Sequence, residues 1–247
     1  MRKYVFLPLL ASVFLLSSCK IDSVSFSGGK MIEPSSHIVK KEYPQKAFDE
    51  VDVDIVANVK VIQAGSGDYR VVLSCPDNYV DLFKFDNNEG ELEVRFARRN
   101  VNIEPKHVDI TVYTPELHSL ENSGVASVEI DRLKTSQLSV ENAGVGSIYL
   151  AGLVAEKVEA DCSGVGHIEL KGQADRADLE CSGVGSIKAE ELKAKAVKAE
   201  VSGVGGIKCY ASESIDGEVS GVGGLQYGGS PQQKNLRRNG IGGISEL

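Results

Sequence analysis

The sequence predicts an all-β chain: a parallel β-helix-like solenoid with coils of about twenty residues, preceded by a β-rich segment of the same domain. Three observations predict it. A tight glycine motif recurs seven times, with first glycines at Gly124, Gly144, Gly164, Gly183, Gly203, Gly221 and Gly240, in steps of 18 to 20 residues. Aligned on that glycine, the repeats line up β-branched and other apolar residues in columns. No segment holds a helical period, and Ala189 to Ala199, helical only in its Ala, Lys and Glu content, spans parts of two aligned repeats. A fixed period of this length means that each unit buries its apolar face only by stacking on its neighbours.

From the N-terminus, Arg2 and Lys3 precede an apolar run from Tyr4 to Leu16, which leads into Leu16-Ser17-Ser18-Cys19. The run is too short for a stable membrane span and has the layout of a signal peptide. Its end resembles a bacterial lipobox, in which the cysteine is lipidated and becomes the new N-terminus. Residues 1–18 are therefore expected to be a lipoprotein signal peptide, with Cys19 the lipidation site and the membrane anchor. Lys20, where an aspartate would signal inner-membrane retention, favours an outer-membrane lipoprotein facing the periplasm or the cell surface. Residues 19–40, with Gly28-Gly29 and Pro34-Ser35-Ser36, read as a flexible tether. From 41 to 247 a single β-solenoid domain is expected, with its glycine repeats from about 118 onward. Its opening strands show period-two alternation, as in Val51, Val53 and Ile55, Val71 and Leu73, and Leu92, Val94 and Phe96. A further strand, Val108 to Tyr113, leads through Pro115 into the repeats.

Within the repeats, the column one residue after the glycine (Val125, Val145, Val165, Val184, Val204, Val222, Ile241) and the column four after it (Val128, Ile148, Ile168, Ile187, Ile207, Leu225, Ile244) are both expected to face inward. The first glycines are expected at sharp turns with positive φ. Together with Phe48-Asp49-Glu50-Val51 and Tyr113-Thr114-Pro115-Glu116-Leu117, the repeated Ser-Gly-Val-Gly units resemble the auto-transporter adhesin family that carries a head GIN domain. The resemblance covers roughly residues 45 to 245. It implies a parallel β-helix-like fold, a bacterial cell-envelope protein and a Bacteroidetes-type source.

Three residues before the glycine stands an acid in six successive repeats: Glu121, Glu141, Asp161, Glu180, Glu200 and Glu218. Stacked coils make these a ladder with neighbours about 4.8 Å apart. It is the candidate binding site. Calcium is the candidate cation, since hard ions take several carboxylate oxygens, against a plain solvated face. In the seventh repeat Arg237 replaces the acid and Arg238 fills an inward slot, so residues 234–247 read as a charged cap over a strand edge, with a basic binding patch as the alternative. Cys162 and Cys181 share one slot in adjacent repeats, followed by Val201 and Val219. The column favours buried free thiols over a disulfide, and Cys75 and Cys209 lack metal-ligand spacing.

The formal net charge is −8, and losing residues 1–18 would remove only two basic residues. No nucleic-acid partner is expected, and an anionic membrane surface is an equally poor fit, because the phosphate term would be repulsive. His37, His107, His118 and His167 fall in unrelated contexts, with His167 expected on the surface. Gly203-Val204-Gly205-Gly206 lacks the spacing of a nucleotide loop, and repeats this even leave no room for the long loops that wall enzyme clefts. The expected function is non-catalytic, with no cofactor unless calcium: a binding, adhesion or structural display module for an extracellular or envelope polymer or protein. The alternative is an envelope carbohydrate-binding or carbohydrate-processing β-helix protein.

Overall fold

The structure is a computed structural model that describes residues 30–247. The signal peptide, Cys19 and the first part of the tether lie outside the described residues. Strand makes up 69% of the structure, in a β-solenoid of about six turns. The N-terminal part holds β1 (Ile38–Pro44), β2 (Glu50–Asp54), β3 (Val56–Gln63), β4 (Arg70–Pro76), β5 (Phe83–Asn88), β6 (Glu91–Phe96) and β7 (Asp109–Thr114), with short 3-10 turns at Asp77–Leu82 and Pro105–His107. The repeats hold β8 (Ser119–Asn122), β9 (Val125–Ile130), β10 (Leu133–Lys134), β11 (Gln137–Asn142), β12 (Val145–Cys162), β13 (Val165–Cys181), β14 (Val184–Val201), β15 (Val204–Val219), β16 (Val222–Gly228), β17 (Gln233–Arg238) and β18 (Gly243–Glu246).

All repeat strands pair in parallel and in register, so that Ile148 opposes Ile168 and Cys162 opposes Cys181. Each of the coils β12 to β15 is one long strand bent into straight runs, such as 145–150, 153–155 and 157–162 of β12 against β13, whereas the first repeat coil is split into β9, β10 and β11. Coil length varies mostly at one corner, where the register shifts between Leu150 and Leu153, between Glu169 and Lys171 and between Ala189 and Ala194, with a further shift at the next corner between Ala194 and Ala196. The corners absorb the 18 to 20 residue steps and leave the straight runs in register.

Strands β2 and β3 are a true coil that lacks the glycine motif. They stack beneath β8 and β9, with Val51 opposite Leu120 and Val56 opposite Val125. On their other side lie β6 and β7. The chain therefore lays its second coil below the first, then crosses over and builds upward. The lower end is closed by antiparallel pairings of β5 with β6, β4 with β7 and β1 with β4. Part of the expected tether is thus fixed in place. Ile38 to Lys40 pair with Ser74 to Pro76, Ile32 bridges Ile103, and the buried Tyr79 donates its hydroxyl to the Ile32 carbonyl at 2.6 Å. Serine and proline content masked this, because the anchoring here is made by backbone and by a distant tyrosine.

The column four after the glycine is inward as expected: Val128, Ile148, Ile168, Ile187, Ile207 and Leu225 are essentially inaccessible, each contributing about 1.5 to 3 kcal/mol of burial. The column one after it is not. Val125, Val145, Val165, Val184, Val204 and Val222 are 48–57% exposed and Ile241 84%. Side chains alternate along a strand, so positions one and four have opposite parity and cannot share a face. The inward partners of position four are instead positions two and six, such as Ala126 and Ile130. The Ala189–Ala199 segment is strand, within β14.

Candidate functional site

The acid column is assembled on one straight run of the coil. Glu121 opposes Glu141, Glu141 opposes Asp161, Asp161 opposes Glu180, Glu180 opposes Glu200, and Glu200 opposes Glu218. Outward projection follows from parity: the neighbours on either side, such as Val140 and Asn142, are buried. The two coils before the repeats add one member each that no glycine motif marks, since Asp52 opposes Glu121 and Glu93 opposes Asp52. The signal available in the sequence was an acid four residues before a valine, Asp52 before Val56. Eight carboxylates therefore stand in one file. At its upper end Arg237 closes the file, binding Glu218 at 3.2 Å and Asp216 at 3.3 Å.

Crowding and partial burial act on the file together. Asp52, Glu121 and Asp161 are all held above the ordinary carboxylate range, by desolvation first and then by neighbouring carboxylates; for Asp52 the Ser123 hydroxyl donating at 2.8 Å partly offsets this. Asp161 Oδ1 is buried without a hydrogen-bond partner. Beside the file lies an open depression of about 300 Å³ lined by Glu141, Glu159, Asp161, Asp178, Glu180 and Lys198, among others. It is shallow and charged, unlike the enclosed apolar pockets that hold small molecules. Among the described residues no three His, Cys, Asp or Glu side chains converge as a metal site, so the calcium reading gains nothing from the geometry.

The bend beside the file is tied coil to coil by backbone. Val145 N–H donates to the Gly124 carbonyl, Val165 to Gly144 and Val184 to Gly164. None of the first glycines has positive φ, contrary to expectation. They are required by close approach: a Cβ at Gly144, Gly164 or Gly183 would sit 2.0 to 2.2 Å from a carbonyl oxygen of the coil below.

The inward slot next to the acids braces the same bend. Asn122 donates to Asn142 at 2.7 Å, and Asn142 donates to the Gly146 carbonyl at 3.3 Å. Cys162 and Cys181 repeat that contact with their thiols, to Gly166 and Gly185 at 3.8 and 3.4 Å. They are buried free thiols, as the column favoured, and the contact shows why: a disulfide would remove both donors. The neighbouring Cys162 thiol, then burial, pushes the Cys181 thiol far up, and burial raises Cys75 to about 11 and Cys209 to about 12. In the last coil the slot passes to the exposed Arg238.

The histidines do not converge. His118 pairs with Asp49 at 2.9 Å, while His167 lies half-buried against Ser147 and the Tyr149 ring rather than on the open surface. Burial, then Lys188, lowers its pKa and favours the neutral ring.

Residues 47–231 match the family described as "Putative auto-transporter adhesin, head GIN domain". The chain belongs to this family. A solved "putative adhesin" from Bacteroides fragilis is 35% identical, with 87% of this chain covering 100% of that one at a TM-score of 0.84. The same fold recurs in a "putative lipid binding protein" from Parabacteroides distasonis (20% identity, 88% and 100% covered, TM-score 0.71) and a "putative adhesin" from Parabacteroides merdae (16%, 88% and 99%, 0.67). No curated protein matches the chain. Family and neighbours are described as adhesins or binding proteins rather than enzymes, which supports a binding or adhesion role at the cell envelope or surface. No helix among the described residues is long and apolar enough to cross a membrane.

Proposed function

We infer that the protein is a non-catalytic adhesion module, held at the outer membrane by a lipid on Cys19, that displays its long acidic face to an extended polymer. The observation that carries the reading is the in-register file from Glu93 to Glu218, one carboxylate per coil on a face with no enclosed pocket. A repetitive surface suits a repetitive partner. Each contact is weak, and many copies tethered in one membrane raise the effective concentration and hence the avidity. Leu16-Ser17-Ser18-Cys19 supports the anchor.

Two measurements test this. Cys19→Ala should abolish acylation and move the protein out of the detergent phase; a variant still acylated and membrane-bound would sink the anchor. The full chain and a variant carrying Glu141→Gln, Asp161→Asn, Glu180→Gln and Glu200→Gln should be compared on an array of glycans and matrix proteins. Stable capture lost in the variant is expected, whereas equal capture, or cleavage of a glycan by the parent, would overturn the reading.

A further inference from the structure

The exposed valines are the feature of this surface that the fold does not need. Val125, Val145, Val165, Val184, Val204 and Val222 stand one per coil in register and half-exposed, continued by Ile241. Seven coils at about 4.8 Å make an apolar stripe about 30 Å long. A β-branched residue suits a strand, but threonine would meet that preference with a hydroxyl for water. No coil uses one. Contiguous exposed apolar surface of a few hundred Å² marks an interaction site in soluble proteins.

What lies on either side says what it fits. Across the Ser-Gly bend, four residues upstream in each coil, runs the carboxylate file. Among the described residues no Lys, Arg or His nitrogen pairs within 4 Å with the carboxylates of Glu121, Glu141, Asp161 or Glu180; the nearby Lys198 pairs instead with Glu200, so the middle of the file has no ion-pair partner of its own. On the other flank the next outward positions are Ser127, Ser147, His167 and Ser186, and the column beyond them is mixed, with Glu129, Tyr149, Glu169, Lys188 and Lys208 in register. A ligand lying on the valines therefore meets an unbroken file of carboxylates along one edge and a column of mixed charge along the other. An anionic polymer is repelled there, and a second copy would set one file of carboxylates near another.

We propose that the valine stripe and the carboxylate file together form a lengthwise docking strip for an extended basic polypeptide segment, its apolar side chains on the valines and its Lys or Arg side chains on Glu121 to Glu200. The proposal rests on the reading of the acidic face as a binding face and names its partner. The spacing suits an extended chain: two coils span about 9.6 Å, and a polyproline II helix completes its three-residue turn in about 9.3 Å. A segment with an apolar, a basic and a spacer residue in each turn would stay in step with alternate coils.

The test titrates full-length protein in detergent with a labelled (Lys-Val-Pro)6 peptide, its (Gln-Val-Pro)6 counterpart and a neutral dextran. The parent should bind the lysine peptide at least tenfold more tightly than the glutamine one, with the preference shrinking in high salt. Replacing Val145, Val165, Val184 and Val204 by Thr should leave the melting temperature unchanged and weaken binding at least tenfold, as should the four ladder substitutions. A charge-matched control, Glu89, Glu104, Glu116 and Glu156 to Gln, all exposed and off the strip, should bind within threefold of the parent. Threonine variants that bind like the parent, or a control that loses as much as the ladder variant, overturn the proposal. If the lysine peptide is ignored while dextran binds and the ladder variant loses it, the basic-peptide proposal falls and the acidic face stands as a binding face. If no probe depends on the ladder, both fall.

Discussion

The first coil and the glycine coils build the same three columns at the same corner, yet only the latter use glycine. In the first coil Asp52, Val53 and Val56 oppose Glu121, Asn122 and Val125, and Ile55 takes the place of Gly124, fully buried. The difference lies in what is underneath. Each repeat glycine would aim its Cβ at the bend of the coil below. Beneath Ile55 there is no such bend, because the chain leaves the stack after Phe96 and returns only at Asp109. The free volume is filled by a large side chain. Glycine here answers to the neighbouring coil and not to the local turn.

The sharpest way to break this comparison is Gly183→Val. Its Cβ would meet two carbonyl oxygens at 2.2 and 2.3 Å, and no rotamer change relieves a Cβ clash with backbone. Loss of the cooperative transition is expected, beyond the ~4–5 kcal/mol that is exceptional for one substitution; a Tm within a few degrees of the parent would refute the stacking account. The next effect separates inward from outward columns of one strand. Ile168→Ala should cost about 2–5 kcal/mol in denaturant unfolding, and Val165→Ala, three residues away, within about 0.5 kcal/mol. Equal losses would restore the reading in which both columns are core.

A smaller effect concerns charge. Glu121 and Asp161 have native pKa values above their unfolded ones, so their stabilising contribution is present below the unfolded pKa and lost as pH rises through the native values. At neutral pH that contribution is absent, and desolvation and the neighbouring carboxylates weigh against the ionised forms. Combining Glu121→Gln with Asp161→Asn should therefore raise Tm by about a degree or two near pH 7, and the gain should close as pH falls toward about 4. A gain that persists at acid pH would assign it to packing. The smallest effect is expected at Glu129→Gln, on an exposed side chain 3.9 Å from Lys60, within about 0.5 kcal/mol by thermal melting.

How much was legible follows from where information repeats. Coil period, parallel stacking, the Ile148-to-Leu225 core column and the six-membered acid file all recur, so alignment alone exposes them. The valine column was visible but placed on the wrong side, although strict alternation already ruled that out. Asp52 and Glu93 were hidden because their coils lack the motif and because β6 and β7 stack on the far side of β2 and β3, an order that only long-range pairing reveals. The link from Asn142, Cys162 and Cys181 to carbonyls four residues on was hidden too. Asparagine and cysteine look unrelated in a column until the shared acceptor across the bend is seen.

That reversed stacking gives the molecule a direction of growth. With one end sealed by antiparallel strands, each further coil has a single template, the coil below it, which precedes it in the chain. The return of β8 and β9 onto β2 and β3, Val51 to Leu120, closes a long loop; every coil after it closes one of about twenty residues, which costs little chain entropy. The chain resembles a filament that carries its own nucleus, and its docking strip lengthens by one valine and one carboxylate with each coil added.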